Sequence, residues 1–81
     1  MKKTNKKPLY DKTIEYSTKH LPKELRDIIS DLEKYDETGD WFNYDLRFRD
    51  LDMIAKSMMI AEIITRKDYD KLLNKYGWLY D

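Results

Sequence analysis

The chain has no cysteine, one histidine, two glycines and two prolines in 81 residues. Without cysteine no disulfide and no thiolate metal site can staple the fold. Two glycines cannot build a phosphate-cradling loop, and neither a Walker motif nor a dinucleotide fingerprint occurs. His20 has no histidine or cysteine partner and no serine in a nucleophile-elbow setting, so a catalytic or ligand role is not expected. The longest unbroken apolar run, MMIA, is four residues, too short to span a bilayer. MKKTNKK has the charge of a signal-peptide start, but PLYDKTIEYS follows it and is not an apolar segment. The absences point away from an enzyme, from any metal or cofactor and from a membrane protein. The expectation is a soluble, cytoplasmic, non-catalytic protein.

Charge is balanced overall, at 16 basic and 16 acidic residues, but unevenly placed. Residues 1–23 carry seven lysines against Asp11 and Glu15, a net of +5, and the remainder is −5. A basic leader therefore precedes a mildly acidic body. Residues 1–8 lack periodicity and read as disordered. Residues 9–81 read as a single small helical domain, of which about 60% of the unfolded surface can be buried at this size.

Three helices are expected, over about 22–37, 41–64 and 66–76. Pro22 suits a helix start, and Leu25, Ile28, Ile29, Leu32 and Tyr35 form one apolar stripe. Gly39 can take positive φ and end that helix, and Asp40 is placed to cap the next. Thr65 and Asp68 form a capping-box-like pair before the stripe Tyr69, Leu72, Leu73, Tyr76, with Gly77 as the C-terminal stop. Residues 9–21 fit a short helix, an extended piece or an ordered strap equally. The fold class is all-α, a three-helix bundle with a long central helix.

WFNYDLRFRD, residues 41–50, interleaves four aromatics with two arginines, a pattern that stacks single-stranded nucleic acid when it is exposed. On a helical wheel Tyr44, Phe48, Leu51, Ala55 and Met58 share one arc, with Trp41 and Met59 at its edge. Phe42, Leu46, Met53, Ile60 and Ile64 fall opposite. Two apolar arcs predict a central helix sandwiched between the other two. Arg47 and Arg49 lie roughly 160–200° apart on a solvated rim, with Asp45–Arg49 and Asp52–Lys56 pairs at i, i+4. Asp50 and Asp52 point about 200° apart and cannot share a metal. Glu62, in the same arc as Tyr44, needs a partner if it is covered and otherwise frays into solvent.

Three surfaces are candidates for binding. Met53, Ile60 and Ile64, with the tail residues Trp78, Leu79 and Tyr80, offer an apolar contact for a protein partner or a second copy. Glu24, Asp27, Asp31, Asp36 and Glu37 form an acidic ridge able to meet a basic partner or imitate a nucleic-acid backbone. Lys2, Lys3, Lys6 and Lys7 can touch phosphate nonspecifically, but no helix is basic enough to read bases.

Residues 39–78, GDWFNYDLRFRDLDMIAKSMMIAEIITRKDYDKLLNKYGW, resemble a group of small uncharacterised helical proteins of Firmicutes-type bacteria, often encoded in mobile elements. The features shared are the GDW opening, AEIIT at the end of the long helix and the closing YGW. The resemblance implies a helical fold and a mobile-element setting, and it assigns no activity or site residue. The function expected is a protein-interaction module. The alternative is a nucleic-acid-directed protein, working through the lysine leader or as an acidic mimic that inhibits a nucleic-acid-binding host protein.

Overall fold

A computed structural model describes residues 8–77. Three helices, α1 (Lys23–Thr38), α2 (Trp41–Ile60) and α3 (Arg66–Tyr76), follow an irregular segment, and no strand occurs among the described residues. The all-α three-helix architecture is as the periodicity predicts.

Local chemistry sets most of the helix ends. Gly39, at φ 72°, ends α1 with its N–H on the Asp36 carbonyl, while the Asp40 N–H reaches Tyr35. That is the paired bonding of a left-handed helix stop, which glycine adopts without strain. Asp40 accepts the Asn43 N–H and starts α2 immediately, so α1 and α2 form a tight hairpin. Thr65 and Asp68 exchange both bonds of a capping box at α3. Gly77 keeps a negative φ, so its role differs from that of a left-handed cap. A Cβ there would stand 2.6 Å from the Leu73 carbonyl oxygen and 2.9 Å from the Phe48 ring, and glycine is what lets α3 close onto α2.

α2 ends at Ile60, four residues before the expected boundary. Glu62 sits at φ 62° while its N–H bonds to Met59 and that of Ile63 to Met58. The same stop that Gly39 supplies is made here by a residue with a side chain, at a cost of about 1 kcal/mol. Glu62 is exposed, so its carboxylate needs no buried partner. The reversal turns Ile64 inward, where it is 6% exposed.

The core joins Leu25, Ile28, Ile29 and Leu32 of α1 to Tyr44, Leu51 and Ala55 of α2 and to Leu72 and Tyr76 of α3. Both neighbours of α2 lie on its Tyr44–Leu51–Ala55 side. On the α3 side, the Tyr44 hydroxyl donates to the Tyr76 carbonyl at 2.6 Å and the Tyr69 hydroxyl to Asp52 at 2.7 Å. On the α1 side, Arg47 reaches Asp31 at 3.0 Å. α2 packs against both α1 and α3 as expected, but both meet it on one side, so its opposite face is not sandwiched and stays exposed.

Residues 8–22 form a strap, buried through Leu9 and Leu21. It begins beside the C-terminal ends of α1 and α3, where the Leu9 N–H donates to Asp36 and the Asp11 N–H to the Lys75 carbonyl, both at 2.8 Å. Tyr10 stacks on Tyr76 with ring centres 5.1 Å apart. The strap ends at the opposite pole, where Tyr16 and His20 meet Asp68 of α3 and the Leu21 carbonyl accepts from Arg26 of α1. It thus ties α1 to α3 at both ends and leaves α2 without a cover.

Candidate interaction surface

Along the outer face of α2, Phe42 (58%), Leu46 (46%), Met53 (64%) and Ile60 (72%) stand exposed in one row. At ~100° per residue they fall within about 40° of one another, opposite Tyr44, Leu51 and Ala55. Trp41 and Ile63 are exposed at the two ends of the helix, and the Trp41 ring meets Phe42 edge-on at 6.0 Å. Singly exposed apolar residues are ordinary, but a row of them along one helix is a candidate contact surface.

Of the residues expected at an apolar contact, Met53 and Ile60 are exposed in this row, whereas Ile64 belongs to the core. Trp78, Leu79 and Tyr80 lie outside the described residues. Phe42, Leu46 and Trp41 join the surface, although none was expected there. The wheel had separated Phe42 and Leu46 from the core arc. Two apolar arcs on one helix predict a neighbour on each, and the second neighbour does not lie there. Trp41, at the rim of the core arc, carried no signal of its own.

Charged groups border the row. Asp45 and Arg49 pair at 3.2 Å, as their spacing predicts. The expected Asp52–Lys56 pair is replaced, because Asp52 turns to the Tyr69 hydroxyl. Lys56 is exposed and has no acidic partner among the described residues. Burial, with Asp52 next, pushes the Tyr69 hydroxyl up to about 12, so it stays a donor across the physiological range. On the other side of α2, Arg47 bridges Asp31 and Asp50, both at 3.0 Å.

That bridge breaks the acidic ridge. Asp31 is held by Arg47 and Asp27 by Lys23 at 2.8 Å, and Asp36 is buried, 6% exposed, on Leu9 and Lys12. Of the five residues expected to form the ridge, Glu24 and Glu37 are exposed, and Glu24 has no ion pair among the described residues. Lys2, Lys3, Lys6 and Lys7 lie outside the described residues. No group of three metal-ligating side chains occurs among the described residues, and no helix there is long and apolar enough to cross a membrane.

One titratable cluster was not anticipated. Asp68 accepts the Tyr16 hydroxyl at 2.6 Å and His20 Nε2 at 2.9 Å, as well as the Thr65 N–H. His20 stands, as expected, partly exposed near the start of α1, and Asp68 is the partner the sequence did not reveal. Burial opposes the charge on Asp68, but the bonds from Tyr16, His20 and Thr65 outweigh it and hold the carboxyl at about 2, below its ordinary 3.8. Asp68 Oδ1 thus fastens the strap to α3, while Oδ2 closes the capping box of α3.

Because the folded carboxyl is the more acidic, its contribution is complete above about pH 4 and drains away as pH falls toward 2. Asp68→Asn is expected to lower stability at neutral pH by about 2 kcal/mol and to flatten the acid limb of the stability curve. Urea midpoints across that window check it, and an unchanged acid limb in the variant would contradict the assignment.

The fold and its surface define a small all-α protein of three helices closed by an N-terminal strap, with one helix face left open. No protein-family model, no curated protein and no solved structure matches the chain.

Proposed function

We propose that this protein is a non-catalytic interaction module that docks a protein partner on the outer face of α2. The observation that carries the reading is the row Phe42, Leu46, Met53, Ile60, exposed along a helix whose opposite face is completely buried at Tyr44, Leu51 and Ala55. Folding does not require those four side chains to be apolar, whereas docking does. A setting accessory to a bacterial mobile element rests on the resemblance of residues 39–78 alone.

The acidic-mimic alternative is weakened by the pairing of Asp27 with Lys23 and of Asp31 with Arg47 and by the burial of Asp36, which reduce the free negative charge it needs.

A photocrosslinking residue placed at Met53 is expected to trap a polypeptide in cells producing the protein, and one at the exposed Lys34 of α1 is not. Equal trapping at both positions would remove the case for α2.

A further inference from the structure

Resting on the docking reading above, we infer that the occupant of the α2 face is a second copy of this chain, its α2 running antiparallel about a two-fold axis. The charges on the α3-facing border of the row carry the inference. Asp45, Arg49, Asp52 and Lys56 alternate in sign, −, +, −, +, at spacings of four, three and four. The spacing reads the same in both directions, and the signs invert when the order is reversed.

In an antiparallel pair like borders face each other. A copy centred between positions 50 and 51 sets Asp45 opposite the second copy's Lys56, and Arg49 opposite its Asp52. The two-fold axis then repeats both contacts, giving four opposite-sign pairs along this border; on the other border Asp50 comes beside the Asp50 of the second copy, each already paired with its own Arg47. A parallel pair would set this border against the other one, where Asn43, Asp50 and Ser57 offer one charge, already bound to Arg47.

The same register closes the apolar row. Ile60 of the second copy comes level with Phe42, its Met53 falls between Leu46 and Met53, and its Leu46 falls between Met53 and Ile60. Lys56, without an acidic partner among the described residues, receives one from the second copy. Asp52 spends Oδ1 on Tyr69 and keeps Oδ2 for the incoming arginine. The row spans ~27 Å at ~1.5 Å per residue, one helix face per copy, below the ~800 Å² per partner of a standard interface. We expect such a dimer to be dissociable, with a dissociation constant on the order of micromolar.

Sedimentation of the full chain from about 1 to about 500 µM brackets that range. The mass is expected to rise from one chain to two, and Met53→Asp with Ile60→Asp to weaken association by at least about tenfold with an unchanged circular dichroism spectrum, since both residues are exposed. Asp45→Lys alone and Lys56→Glu alone are each expected to weaken the dimer, and the two together to restore it.

A single-chain mass throughout overturns the inference. If Met53 then crosslinks to a different polypeptide, docking on α2 survives with a foreign partner. If the monomer binds anionic vesicles instead, both readings fall. A dimer that persists in the Met53→Asp, Ile60→Asp variant, or that the charge swap fails to restore, overturns the interface described here.

Discussion

Replacing Asp36 by alanine is expected to lower the free energy of unfolding by about 3 kcal/mol. The carboxylate lies on the buried face of α1, 6% exposed, one turn beyond Leu32. It accepts the buried Leu9 N–H at 2.8 Å and Lys12 Nζ at 2.8 Å. Lys12 is 56% exposed, so solvent screens that pair and it contributes little by itself. The larger loss comes from the Leu9 N–H, which would have neither carboxylate nor water to accept it. The start of the strap would then lose its anchor, and Leu9 and the Tyr10–Tyr76 stack with it. Asp36→Asn keeps an oxygen for Leu9 and is expected to cost about 1 kcal/mol. Urea unfolding of the two variants checks the difference. A loss below about 1 kcal/mol for alanine would mean that the strap is not held at this point.

The second large effect compares two leucines on one helix. Leu51 is fully buried in the core, whereas Leu46 is 46% exposed on the outer row. Leu51→Ala removes three carbons from the core and leaves a cavity, for an expected loss of about 3–4 kcal/mol. Leu46→Ala is expected to change stability by no more than about 0.5 kcal/mol at concentrations where the chain is monomeric. A chain of this length has a total stability of roughly 4–12 kcal/mol, so Leu51→Ala consumes a large part of it. Chemical denaturation in dilute solution reads both. Similar losses at the two positions would mean that α2 is packed on both faces, as the wheel alone suggested.

That contrast shows what a periodicity can reveal. The two arcs of α2 were legible in the sequence, as was the inward direction of Tyr44, Leu51 and Ala55. A wheel gives the direction in which a side chain points but not whether anything lies there. Phe42, Leu46 and Met53 have the apolar character of core residues, and their exposure follows from where α1, α3 and the strap settle. Asp36 poses the opposite problem. It continues the apolar stripe of α1 at the right angle, but as an acid it reads as surface until its distant partners Leu9 and Lys12 are known. The Tyr16–His20–Asp68 cluster is equally nonlocal, since Asp68 lies about fifty positions from Tyr16 and His20 in the chain.

The sequence by itself determined the all-α class, three helices, and the caps at Gly39, Asp40 and the Thr65–Asp68 pair. Each of these depends on residues within about five positions of one another, where backbone hydrogen bonds and φ preferences act. Only the tertiary structure decided that Glu62 turns the chain and sends Ile64 into the core, that residues 8–22 form a strap, and that α2 shows an apolar face to the outside. Those outcomes are set by which surfaces meet across the fold, and short-range preferences do not encode that.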